Sequence, residues 1–319
     1  MEFEQKMTEK VEYVERVIKS YMPEEEGFQK TVIEAMNYTM SAGGKRIRPV
    51  LMQSVYELFG GSEEYVEPFM AAMEMVHTYS LIHDDLPALD NDEYRRGRKT
   101  AHIVYGEAMA ILAGDSLLNY AFETAAKAFS MVAEPICLEE KGVLDEDKVK
   151  LLLEEIEVRR RIERAMTVLT KKPGIYGMIG GQVVDVELTG SRLSEEQLTY
   201  IYENKTGALI EASMLIGAIL AGAKEEELEK IFQIASNVGM AFQIQDDILD
   251  ETATFEELGK PVHSDEKNEK VTYVTIHGIE ASKKAVEHLS KEACSLLETI
   301  DGDYTFLKEL VLYLIHRKN

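Results

Sequence analysis

Four stretches, residues 69–85, 107–132, 198–221 and 225–250, repeat apolar side chains at i, i+3 and i+4 over many turns. An element with that length and period must cover an apolar stripe along most of its axis, and other long helices are the partners that can do so. Strand-like alternation bounded by turn signals is hard to find, and the 7 prolines and 21 glycines form no linker. The pattern predicts an all-α fold, a single domain spanning residues 1–319 and built as a bundle of long helices. Ser194, followed by Glu195, Glu196 and Gln197, has the spacing of a capping box and is predicted to open a helix. Residues 134–164 depart from this pattern. They are dense in charge of both signs and are predicted to form an exposed charged insertion.

Charge narrows the function classes. Lys plus Arg number 35 against 58 Asp plus Glu, a formal net charge of −23. So acidic a surface excludes nucleic acid or an anionic membrane as the main partner, and any anion site must be a local basic cluster. Cys137 and Cys294 lie far apart with no CxxC pair, which fits a reduced cytosolic compartment and leaves one long-range disulfide open. The N-terminus is acidic and has no apolar core of a signal peptide, and the most apolar run, 208–223, contains Glu211 and is too short to cross a bilayer. The expectation is a cytoplasmic protein with no stable membrane insertion.

Two acidic clusters carry the chemistry. The second reads Phe242-Gln-Ile-Gln-Asp-Asp-Ile-Leu-Asp, and Gln243, Asp246, Asp247 and Asp250 fall at i, i+3, i+4 and i+7 on one helix face. Gly239 and Ser236 continue that stripe with small side chains, which predicts space beneath the carboxylates. The first reads Ser80-Leu-Ile-His-Asp-Asp-Leu-Pro-Ala-Leu-Asp, with Asp84, Asp85 and Asp90. Asp84 and Asp90 stand about 120° apart on a regular helix, but Pro87 lies between them. If two residues loop out there, both carboxylates rejoin one face, with Ser80 and His77 below them. Carboxylates this close repel unless a cation neutralises them, and Mg²⁺ takes a few carboxylates together with phosphate oxygens. Arg95-Arg96-Gly97-Arg98-Lys99 follows the first cluster directly, and a second basic string, Gly43-Gly44-Lys45-Arg46-Ile47-Arg48-Pro49, lies earlier in the chain. Guanidinium forks suit phosphate oxygens, and the paired glycines are predicted to let backbone amides approach an anion.

In order along the chain, these strings are joined by Gly181-Gln182-Val-Val-Asp185, Lys205-Thr206-Gly207 and Leu258-Gly-Lys260-Pro. Together they resemble the trans-isoprenyl diphosphate synthases, of the bacterial short-chain farnesyl diphosphate synthase type, over nearly the whole chain. The resemblance implies a bundle around a deep central cavity, a homodimer, and Mg²⁺, three ions per active site, bridging both Asp-rich motifs to an allylic diphosphate. Asp84, Asp85, Asp90, Asp246, Asp247 and Asp250 would be the metal set. Arg95, Lys205, Thr206, Gln243 and Lys260 would hold the allylic diphosphate, and Lys45, Arg48, His77 and Arg96 would hold isopentenyl diphosphate; Lys270 is the basic residue kept after the second motif. Asp84, Asp85, Asp90, Arg95, Lys205 and Asp246 would carry the catalysis. The basic fence would stabilise the departing diphosphate, and the isopentenyl double bond would attack the allylic cation, with released diphosphate as the base. Tyr79 and Ser80, a bulky and a small residue before the first motif, imply a stop at fifteen carbons. The expected product is therefore farnesyl diphosphate, with geranylgeranyl diphosphate second and a terpene cyclase or a non-catalytic subunit as weaker alternatives. Gln182 and Asp185 are explained equally by helix packing against Gly177 and Gly181 or by ligand contact. The chain departs from the family pattern at 269–274, where Val274 replaces a proline, and at His263.

Overall fold

A computed structural model of the chain describes residues 2–62, 64–132, 146–191, 193–252 and 271–316. Helices run through nearly all of it: α1 (Glu2–Tyr21), α2 (Lys30–Met40), α3 (Ile47–Leu58), α4 (Glu67–Asp84), α5 (Ala101–Tyr105), α6 (Glu107–Ala126), α7 (Ala128–Met131), α8 (Glu146–Lys171), α9 (Met178–Glu187), α10 (Glu195–Ile201), α11 (Ala208–Ala221) and α12 (Glu225–Thr252). Three more follow at Tyr273–His277, Ile279–Leu297 and Thr305–His316. The all-α expectation holds.

Two helices form the core because their sequences are apolar on every side. α4 carries Pro68 in its first turn, where the missing N–H costs nothing, and it is buried from Pro68 through Val76 and again at Thr78, Tyr79 and Ile82. α11 is buried almost throughout. α4 packs on α6, α3 and α1, whereas α11 packs on α3, α12 and α8; α12 in turn lies along Ile279–Leu297. At Gly217 the backbones come so close that a Cβ would lie 2.3 Å from the Met52 carbonyl oxygen of α3. The predicted cap is present: Ser194 accepts from the Gln197 N–H, and the Gln197 side chain accepts from the Ser194 N–H.

The predicted charged insertion at 134–164 lies only partly within the described residues. From Glu146 onward it is the first part of α8, with Leu151, Leu153 and Ile156 exposed and Ile162 buried at the bundle end. Among the described residues no helix is long and apolar enough to cross a membrane.

Candidate active site

α4 ends at Asp84, three residues before Pro87, so the first acidic motif is not a helix with two residues looped out, as the spacing suggested. Instead the chain turns through 85–91 and comes back. The Asp90 N–H donates to the Asp84 carbonyl at 2.9 Å, and the Asn91 N–H to the Leu86 carbonyl at 3.1 Å. The two aspartates meet at the helix end, with Asn91 in the left-handed region (φ 53°) to close the turn.

The Arg-rich string then forms a two-residue antiparallel hairpin, Tyr94–Arg95 against Arg98–Lys99. Its turn, Arg96-Gly97, has positive φ at both residues, 53° and 74°, as a type I′ turn requires. This hairpin aims the guanidinium groups. Arg95 grips Asp85 with Nε at 2.7 Å and Nη2 at 2.6 Å, and Asp85 is buried. Arg96 reaches back to the Gly43 carbonyl. The Gly44 backbone leaves room for that guanidinium, since a Cβ there would lie 2.7 Å from Arg96 Cζ. The paired glycines were expected to admit an anion to their amides; they accommodate an arginine instead. Lys45 is exposed beside them.

Arg46 is a structural residue that spacing alone did not separate from its basic neighbours. It is buried with φ 48°, paired with Glu15 of α1 and Glu74 of α4 at 2.7 Å each, and donates to the Met40 carbonyl. This knot sets the start of α3 and so presents Arg48 to the cavity. There Arg48 Nε is buried without a hydrogen-bond partner, and burial brings its pKa down to about 10. His77, on the same wall, is held well below the ordinary histidine range by burial and by Arg48, and stays neutral at pH 7.

The opposite wall depends on an irregular turn. Residues Tyr202–Gly207 between α10 and α11 are π-helical, and the extra residue brings Lys205 and Thr206 side by side towards α4 and α12. Lys205 pairs with Asp185 of α9 at 2.5 Å, and Thr206 donates to Gln243 at 2.7 Å. Gly181 permits the approach, since a Cβ there would lie 2.3 Å from the Lys205 nitrogen. For Gln182 and Asp185, the contacts extend beyond helix packing: Gln182 donates to Asp84 at 2.9 Å.

The second acidic motif lies on α12 as the period required, but the space expected beneath it at Gly239 is filled. A Cβ at Gly239 would lie 2.9 Å from Gly207 Cα in the π-helical turn. Asp247 is buried and accepts from the Tyr202 hydroxyl, the Tyr273 N–H at 3.0 Å and the Gln243 amide at 3.2 Å. Tyr202 and Tyr273 are thus site residues that the sequence reading did not single out. The departure at Val274 is absorbed locally, because Thr272 caps the helix Tyr273–His277 and Val274 is buried within it. Lys260, His263, Glu269 and Lys270 lie outside the described residues.

A cavity of about 650 Å³ is lined in part by Arg48, His77, Asp84, Lys205 and Thr206. Its other lining is mostly apolar, with Tyr79, Leu118, Met178, Ile179, Val183 and Leu209, but it also includes His83, Asp115 and Glu187. A smaller hollow of about 90 Å³ is lined by Gln243 and Asp247 and shares Lys205 and Thr206 with it. Asp90, Asp246 and Asp250 line neither. Among the described residues no three carboxylates, histidines or cysteines converge closely enough to hold a metal alone. The donor set nevertheless fits a magnesium ion completed by phosphate oxygens and water. Burial raises the Asp84 pKa to about 6, opposed by Lys205 and reinforced by Asp90, so a cation at that carboxyl would relieve an existing electrostatic cost.

Residues 29–300 match the polyprenyl synthetase family. The chain is 41% identical to a geranylgeranyl diphosphate synthase of Cyanophora paradoxa, covering 98% of this chain and 95% of that protein. It is 40% identical to a farnesyl diphosphate synthase of Geobacillus stearothermophilus, covering 94% and 93%. A crystal structure of a geranyltransferase from Helicobacter pylori, complexed with magnesium and isoprenyl diphosphate, superposes with a TM-score of 0.76 at 31% identity over 98% of this chain and 95% of that one. With the Asp-rich motifs, the basic hairpin and the apolar cavity in the order of the sequence, the chain belongs to the polyprenyl synthetase family, and is an isoprenyl diphosphate synthase.

Proposed function

We propose that this enzyme condenses dimethylallyl and then geranyl diphosphate with isopentenyl diphosphate and stops at (2E,6E)-farnesyl diphosphate. The observation that carries this reading is one cavity lined both by Arg48, Asp84 and Lys205 and by a mostly apolar wall that contains the buried Tyr79. Magnesium would supply charge neutralisation to the departing diphosphate and template its orientation. Asp84, Asp90, Asp246 and Asp250 would hold three such ions together with phosphate oxygens, as the resemblance implies. Asp85 and Asp247 act one step back: Asp85 orients Arg95, and Asp247 ties Gln243 to Tyr202 and Tyr273.

Lys205, Thr206, Gln243 and Arg95, joined by Lys260 and Lys270 as the resemblance implies, hold the allylic diphosphate. Lys45, Arg48, His77 and Arg96 hold the isopentenyl diphosphate. The released diphosphate, left beside the new cation when the allylic bond breaks, takes the proton. The apolar walls keep water from the allylic cation. We also propose a homodimer formed through the exposed apolar face of α5 and α6, Ile103, Val104, Ile111 and Leu112.

Tyr79 sets the reach of the tail, beside Ser80, whose hydroxyl is bonded back to the His77 carbonyl. Incubating the purified protein with Mg²⁺ and both five-carbon diphosphates, then sizing the dephosphorylated prenols, is expected to give fifteen carbons. Tyr79→Ala is expected to move the main prenol to twenty carbons or more. An unchanged length in that variant would remove Tyr79 from the role. A parent product of twenty carbons would favour the second reading, geranylgeranyl synthesis, which the 41% identity to a geranylgeranyl synthase supports.

A further inference from the structure

His83 lies one turn above Tyr79 on α4, with its ring edge-on to the tyrosine, centroids 5.8 Å apart and planes at 82°. Both side chains line the cavity. On its far side His83 is fixed by α6. Its Nε2 sits 3.2 Å from the Ile111 carbonyl oxygen, a bond the ring can make only as donor, and 3.8 Å from the Asp115 carboxylate. The ring fills the space where Gly114 has no side chain: a Cβ at Gly114 would lie 2.2 Å from His83 Nε2 and 2.5 Å from Cδ2.

Gly114 is buried within α6, with no positive φ to require glycine. A glycine in a helix interior is less stable there than alanine, so its place here is best explained by the ring seated on it. The Tyr79 hydroxyl, meanwhile, is buried with no hydrogen-bond partner. No polar contact orients that ring; packing does, and His83 is the aromatic neighbour that supplies it.

We propose that His83, seated in the notch at Gly114, is a positioning residue for product length. It props the Tyr79 ring across the path of the growing tail, so that the His83–Tyr79 pair, rather than Tyr79 alone, ends elongation. The proposal rests on reading the cavity as the well for the prenyl tail.

The test compares His83→Ala, Gly114→Ala and the double variant by prenol length and by the rate of the first condensation. His83→Ala is expected to shift the main product to longer prenols than the parent's. Gly114→Ala, whose new methyl drives the ring towards Tyr79, is expected to shift it shorter. The double variant is expected to follow His83→Ala, because the methyl then has no ring to push. In all three the first condensation stays within about threefold of the parent, since no group placed at the diphosphates is touched. Product lengths equal to the parent's in both single variants would overturn the proposal. So would an equal loss of first and later condensations without a change in length, which is the result of a purely structural role. A parent that makes no prenol at all would reject the underlying reading of the cavity, and the proposal with it.

Discussion

Replacing Asp84 with alanine is expected to lower kcat/KM for condensation by about a thousandfold or more, equivalent to roughly 4 kcal/mol of lost transition-state stabilisation. The size follows from where this carboxyl sits. It closes α4 at the cavity wall, with Asp90 folded back onto its backbone and Gln182 holding one oxygen at 2.9 Å. Its pKa, near 6 through burial, marks a charge that the fold alone stabilises poorly. A group held at such a cost is worth most when positive charge arrives. The variant should remain fully helical, because the hydrogen bond lost with the side chain is the one from Gln182. Gln182→Ala should therefore cost much less, about tenfold, by loosening the carboxylate without removing it. Steady-state rates of prenol formation with both substrates, alongside far-ultraviolet circular dichroism, check the pair. A loss below tenfold in Asp84→Ala would remove that residue from the metal set.

Arg48→Ala is expected to raise KM for isopentenyl diphosphate by about a hundredfold, with KM for the allylic substrate changed by no more than a few-fold. Arg48 is a half-buried cation whose buried Nε has no hydrogen-bond partner and whose pKa is already down to about 10. Glu74, whose carboxylate is bonded to Arg46, and Asp246 offset part of that cost, while Arg96 adds to it. A charge so incompletely compensated is unfavourable until an anion arrives. Removing it should leave Tm unchanged or slightly higher. Arg46→Ala should do the reverse and lower Tm, because it leaves buried Glu74 without its ion pair. The two arginines are two residues apart and chemically identical, so opposite thermal shifts would separate the ligand-binding role from the structural one. Similar destabilisation in both variants would place Arg48 with the scaffold.

The helices were legible because their physics is local. A 3.6-residue period over 225–250 can be satisfied in few ways, and α12 spans it. The stripe of Gln243, Asp246, Asp247 and Asp250 follows from the same arithmetic. What the sequence concealed was set by tertiary contacts and by very short elements. Two-residue strands have no period to detect, so the hairpin that points Arg95 at Asp85 and Arg96 at Gly43 could be read only as a run of charge. The π-helical turn that positions Lys205 and Thr206 differs from an α-helix by one residue per turn, below the resolution of any hydrophobic pattern. Tyr202 and Tyr273 look like ordinary core and loop aromatics until the fold brings both to Asp247. Gly44, Gly181 and Gly239 were legible as small but not as to what approaches them. In each case the neighbour is protein rather than ligand: a guanidinium at Gly44 and the π-helical backbone at the other two.

In the proposed mechanism the Asp84 wall and the Asp246 wall would grip one diphosphate through shared magnesium. Calorimetric titration with a non-hydrolysable allylic thiodiphosphate measures this without turnover. Tight binding is predicted only when Mg²⁺ is present, and Asp84→Ala and Asp246→Ala should each abolish it, with the double variant no worse than either single one. Binding of equal strength in chelator, or independent additive losses from the two walls, would contradict the account.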